Sequence, residues 1–125
     1  IGIGENAHIA FNDPPADFET KESFRIVHLD DRCRHQQLRE GWFPDLDAVP
    51  RVAVSMTPYR IMQCGCIVSS VPHSEKAEAV YRTLSAEKTT NLIPATLLRA
   101  HGDWHLFLDQ DSASLCGEDV LAQYR

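Results

Sequence analysis

Ile1-Gly2-Ile3-Gly4-Glu5-Asn6-Ala7-His8-Ile9-Ala10-Phe11-Asn12-Asp13-Pro14 opens the chain and gathers two glycines, an imidazole, carboxamide and carboxylate side chains and a proline into one short segment. Gly2 and Gly4 admit backbone conformations closed to other residues and let the chain approach a ligand, while Pro14 stops any regular element that follows His8. Gly2-Ile3-Gly4 reads as the turn at the end of a buried strand, with Ile1 and Ile3 as its last apolar residues. That composition predicts a functional turn at a strand end, in a segment that is the C-terminal part of a larger single domain.

The residues that follow alternate between strand and helix signals. Pro15 to Glu22 is polar and aperiodic and reads as a loop. Phe24-Arg25-Ile26-Val27-His28-Leu29 is a strand, after which Asp30 or Asp31 caps a helix through Arg39 and Gly41 stops it. His28 reads as a half-exposed strand residue, and Trp42 and Phe43 as anchors of an irregular connection to Pro50. Val52 to Met56 forms a short strand. Thr57 and Pro58 open a helix to Gln63 with Gly65 as terminator, and Cys66 to Val71 is a third strand. Pro72-His73-Ser74 leads into a helix from Glu75 to Leu84, whose Ala77, Val80, Tyr81 and Leu84 follow the spacing of a buried face. Pro94 opens a helix to His101, Trp104 to Leu108 is a last strand, and Ser112 to Leu115 begins a terminal helix. The alternation predicts an α/β fold, a Rossmann-like sheet with helices on both faces, and such sheets take ligands outside the carboxyl ends of their strands.

Bulk properties narrow the function. The 125 residues are 43% hydrophobic, enough for one ordinary core. A formal charge of −6 and a pI near 5.4 speak against a nucleic-acid or acidic-membrane partner. Arg32, Arg34 and Arg39 lie among carboxylates and read as the solvated face of a helix. Cys33, Cys64, Cys66 and Cys116 are too sparse for a disulfide framework. Cys64-Gly65-Cys66 has the wrong spacing for a paired-cysteine zinc site, so the four read as small apolar residues with no metal and a reducing, cytoplasmic setting.

The opening segment resembles the signature loop of the glucosamine-6-phosphate deaminase/isomerase family, which reads much like G-I-G-E-N-G-H-I-A-F-N-E/D-P, and weaker similarity runs through most of the chain. The resemblance implies that residues 1–125 are the C-terminal portion of a deaminase-like α/β domain. It implies an enzyme, a hydrolase, converting glucosamine 6-phosphate and water to fructose 6-phosphate and ammonia without metal or organic cofactor. It further implies that His8 acts in sugar ring opening, oriented by Asn6 and Asp13. Gly4 and Lys76 would contact substrate, the lysine through phosphate at the start of the Glu75 helix. Ala7 stands where the family carries glycine, Asp13 is shorter than the glutamate of many members, and Gln36 and Gln37 fall where the family has an arginine.

The resembled family also uses an upstream aspartate and a phosphate-gripping loop that these residues do not include, which implies that the segment alone is inactive. Its partner would be a phosphorylated amino sugar, with a homo-oligomer left open. Two alternatives share the architecture. One is 6-phosphogluconolactonase, whose turn continues differently from Ile9-Ala10-Phe11-Asn12-Asp13-Pro14, and the other is a non-catalytic sugar-phosphate sensor. Reading Gly2-x-Gly4-x-x-Ala7 as a dinucleotide fingerprint fails because Pro14 and Pro15 break the helix that motif needs.

Overall fold

The computed structural model describes residues 1–124 and has the mixed α/β class that the sequence predicts. Strand β1 (Phe24–His28) leads to helix α1 (Asp31–Arg39), then β2 (Val52–Met56), the short helix α2 (Pro58–Ile61) and β3 (Ile67–Val71). A 3-10 turn (Ser74–Lys76) runs into α3 (Ala77–Ser85), a 3-10 segment (Pro94–Ala100) follows, and β4 (Trp104–Leu108), α4 (Glu118–Leu121) and a 3-10 turn (Ala122–Tyr124) complete the order.

The described strands form two pairs. β1 and β2 are antiparallel with Ile26 opposite Val54, and β3 and β4 are parallel with Ser69 opposite Leu106. A parallel pair needs a long crossover, which α3 and the Pro94–Ala100 segment supply here. The first residues are not a paired strand, although the Ile1 nitrogen lies 2.5 Å from the Val68 carbonyl oxygen and sets this segment beside β3.

Local chemistry explains the element ends. Asp30 Oδ1 accepts from the Cys33 amide at 2.7 Å as the N-cap of α1, and Gly41 takes φ 82° just beyond its C-terminus, where a side chain would be strained. Thr57 caps α2 in the same way, with Pro58 at its first turn. Residues 94–100 form 3-10 turns rather than the α-helix expected, because Thr96 Oγ1 donates to the carbonyls of Thr90 and Ile93 and tightens the segment. Residues 110–115 are turns, and the terminal helix begins only at Glu118.

The core joins Ile61, Ile67, Val71, Val80, Leu84 and Leu98 with three residues of the opening segment, Ile3, Ala7 and Ile9. Burying those three fixes the loop to the domain. Ala7 has φ 65°, a conformation that costs an alanine about 1–2 kcal/mol. Its fully buried methyl returns roughly 0.8 kcal/mol, which leaves only a small net penalty for the missing glycine.

Several side chains depart from the sequence expectation. Tyr81 is 42% exposed, and Thr83 takes the buried position, its hydroxyl donating to the Ala79 carbonyl at 2.7 Å. Trp42 is 71% exposed, with its indole donating to Glu40 at 3.2 Å instead of packing into the core, whereas Val49 is buried from the same connection. Arg34 is buried rather than solvated and donates to the carbonyls of Leu46 at 2.7 Å and Val49 at 3.4 Å, pinning that connection to α1. Cys33 is buried as a small apolar residue should be, but Cys64 and Cys66 are exposed. His28 is exposed on β1.

Candidate functional site

The opening loop folds back on itself through its own backbone. The Gly4 amide donates to the His8 carbonyl and the Ala7 amide to the Gly4 carbonyl, each at 2.9 Å. The His8 ring closes over Gly4 so tightly that a Cβ there would meet Cε1 at 2.2 Å and Nε2 at 2.4 Å. Gly4 is therefore a steric requirement of the histidine's position.

Two further ties hold the loop in place. Asn12 Nδ2 donates to the carbonyls of Ile9 and Met56, both at 2.8 Å, and the Phe11 amide donates to Ser55 Oγ at 3.0 Å, so one rim is fastened to β2. The Ala95 amide donates to the Ala7 carbonyl at 3.0 Å and fastens the other side. Asn12 belongs to the motif, but its partners on β2 are more than forty residues away and carry no sequence signal.

Around His8 the polar groups are mutually consistent. Asn6 Nδ2 donates to Asp13 Oδ1 at 3.0 Å and to Asp30 Oδ2 at 3.1 Å, so two carboxylates orient the amide. Asn6 Oδ1 then faces the His8 amide at 3.1 Å and His8 Nδ1 at 2.6 Å. Nδ1 also lies 3.1 Å from Asp13 Oδ1. Facing two oxygen acceptors, Nδ1 is the donor nitrogen of this arrangement, so the tautomer it favours leaves Nε2 as the ring's acceptor. Nε2 makes no hydrogen bond to any described residue.

Asp13 is the hub of this network. Burial pushes its carboxyl upward, but hydrogen bonds from His8, Asn6 and the Asp30 amide, with the charge of His8, outweigh burial and hold it below the ordinary value. Asp30 entered the sequence reading only as a helix cap. It performs that task with Oδ1 while Oδ2 binds Asn6, which couples α1 to the loop. Below it the Cys33 thiol is pushed up to about 12 by burial and by the carboxylates of Asp13, Asp30 and Glu40, so it stays a neutral wall of the site.

Lys76 stands at the junction of the 3-10 turn and α3, half-buried, in a cleft of about 730 Å³ that Glu5, Arg39, His73, Ser74 and Asp111 also line. The ammonium has no hydrogen bond or ion pair to any described residue. The side-chain atoms of Cys33, His8 and Asp13 lie within 4.8 Å of one another. The turn before Lys76 is held by Asp109, which follows β4. Its Oδ2 accepts from the His73 amide at 2.9 Å, where His73 takes φ 80°, and its Oδ1 accepts from Ser112 N at 2.7 Å.

Sequence reading also missed the cleft's other cation. Arg39 pairs with Glu5 of the loop, and Gln36, buried one turn earlier, accepts from the Glu5 amide at 3.3 Å and donates to Glu40 at 2.8 Å. The helix that was expected to lack a useful arginine thus contacts the loop through a glutamine and brings an arginine to the cleft edge.

No protein-family profile matches the chain. Among solved structures, 6-phosphogluconolactonase from Trypanosoma brucei superposes with a TM-score of 0.65 at 19% identity, covering 93% of this chain and 40% of its own. That likeness shows the fold class shared with the lactonases. A monomeric glucosamine-6-phosphate deaminase superposes with a TM-score of 0.84 at 34% identity, over 91% of this chain and 45% of its own. The glucosamine-6-phosphate deaminase of Thermoanaerobacter sp. (strain X514) is 35% identical over 123 residues, 98% of this chain and 47% of that protein. That of Bacillus cereus (strain B4264) is 35% identical over 125 residues, 100% of this chain and 46% of that protein. The chain belongs to the glucosamine-6-phosphate deaminase family, and it spans about half the length of the curated relatives it matches.

Proposed function

We propose that the intact protein converts glucosamine 6-phosphate and water to fructose 6-phosphate and ammonia, with His8 opening the sugar ring. The observation that carries this reading is the orientation of His8: Asn6 Oδ1 and Asp13 Oδ1 both face Nδ1, which supports a proton there and Nε2 as the base. Nε2 takes the proton of the anomeric hydroxyl as the bond from that carbon to the ring oxygen breaks, and then delivers it to the ring oxygen. Asp13 stabilises the imidazolium that exists between the two steps. Lys76, without a partner of its own in the cleft, receives the sugar's phosphate. The proton transfer between the first two carbons is assigned to a base outside these residues. Water then adds to the resulting imine carbon and ammonia leaves.

Release of ammonia from glucosamine 6-phosphate by the purified intact protein, with formation of fructose 6-phosphate, tests the reading directly. Binding of the sugar phosphate without ammonia release would replace it with a sensor of the same fold, and hydrolysis of 6-phosphogluconolactone in its place would favour the lactonase reaction.

A further inference from the structure

We propose that Cys66, Asp103 and His105 form a binding site for a borderline-soft divalent cation of the Zn²⁺ type, at the end of the β3–β4 pair opposite the cleft that Lys76 lines. The register creates it. Ile67 pairs with Trp104 and its amide donates to the Asp103 carbonyl at 2.9 Å, so Cys66 and Asp103 sit side by side where the two strands begin. His105 lies two residues further along β4 and returns to the same, outer face of the sheet. One ligand atom from each residue falls within 4.8 Å of the other two, and His105 Nε2 is 2.8 Å from Asp103 Oδ1.

Ligand atoms of a tetrahedral zinc site stand roughly 3.3–3.7 Å apart, given metal–ligand bonds of about 2.0–2.3 Å. Side-chain rotation of these exposed groups spans the difference without moving a strand. Thiolate, imidazole and carboxylate together suit zinc or cobalt better than magnesium or calcium, which prefer all-oxygen shells. Water completes the fourth position, because Cys64 Sγ is directed to the Arg60 carbonyl at 3.9 Å.

The surroundings support a built site. His101 Nδ1 accepts from the Asp103 amide at 3.1 Å while its Nε2 donates to the Cys64 carbonyl at 2.7 Å, so one ring holds the two strand entrances together. The Asp103 carboxylate lies within reach of both other ligands, with His105 Nε2 at 2.8 Å from its Oδ1. A cation bound there would displace the thiol proton to solvent and clip the loop after α2 to the start of β4. Strands of five residues at roughly 3.3 Å each place this site about 15 Å from the cleft that Lys76 lines.

The test is titration of the chelator-treated intact protein with Zn²⁺ by calorimetry and with Co²⁺ by absorption. A single ion per chain, with a thiolate-to-cobalt charge-transfer band, is expected. Cys66→Ser and His105→Ala should each weaken binding by at least about tenfold, while Cys64→Ser and His8→Gln leave it unchanged. If either ligand variant loses its fold, as judged by its melting temperature in chelator, the parent protein gives the answer through alkylation: Zn²⁺ should protect Cys66 from iodoacetamide and leave Cys64 reactive. A cobalt spectrum without the thiolate band, binding lost in His8→Gln instead, or equal alkylation of both cysteines overturns the proposal.

Discussion

The His8 ring lies flat against the bare α-carbon of Gly4, with Cε1, Nε2 and Nδ1 all within 2.5 Å of where a side chain would begin. The catalytic geometry proposed above therefore depends on an absent methyl group. Gly4→Ala forces the ring out of its contact with Asn6 and Asp13, since the loop backbone is fastened on both sides and cannot yield. Overpacking of this kind costs about 1–3 kcal/mol, and turnover should fall far more than stability does. A variant with a lowered denaturation midpoint and wild-type kcat would contradict the steric argument.

His8→Gln removes the ring base while keeping a polar side chain of similar reach. Turnover of the intact protein should drop by about two to four orders of magnitude, the usual scale for losing a general acid or base, with little change in sugar-phosphate affinity. Steady-state kinetics beside equilibrium binding separates the two quantities; near-normal turnover removes His8 from the reaction.

Lys76→Ala deletes an ammonium of the cleft that pairs with no described residue. Phosphate is remote from the reacting carbons, so its contact stabilises ground and transition states alike and its loss should raise KM more than it lowers kcat. Inorganic phosphate should inhibit the variant more weakly than the parent. Equal inhibition of both, with equal KM, places the phosphate elsewhere.

Asp13 links the site to acid stability. Its folded pKa is lower than the ordinary 3.8, so its contribution is complete above that value and disappears as pH falls through the lower folded value. Asp13→Asn should cost about 1–3 kcal/mol near neutrality, where a carboxylate accepting several hydrogen bonds is lost, and the gap between parent and variant should close in strong acid. Urea denaturation at a series of pH values reads the gap directly, and a gap independent of pH would refute the linkage.

Asn12→Ala cuts the tie between the loop and β2, leaving the Met56 and Ile9 carbonyls without that donor. A loss of about 1–3 kcal/mol in unfolding free energy is expected, with faster amide exchange at Phe11 and the residues beside it. Unaltered exchange there would show that the Phe11 and Ala95 bonds suffice to hold the loop.

What the sequence by itself determined is local. Asp30 and Thr57 cap their helices, Gly41 ends α1, and the cores of β1 to β4 fall where strand-forming runs predict them, because caps and short runs depend on neighbours a few residues away. The motif from Gly4 to Asp13 was legible for the same reason: Asn6, His8 and Asp13 meet within one turn of chain. Tertiary structure alone decided what crosses long separations. The antiparallel pairing of β1 with β2, the burial of Arg34 under the Leu46 and Val49 carbonyls and the tie from Asn12 to Met56 rest on hydrogen bonds to backbone groups, which are chemically alike at every residue. The second role of Asp30 rests on a side-chain bond to Asn6, far away in the chain. Helical spacing placed Tyr81 inward, yet the available space took Thr83 instead. The parallel register of β3 and β4 likewise brings Cys66 to Asp103 and His105, residues whose spacing in the chain announces no common site.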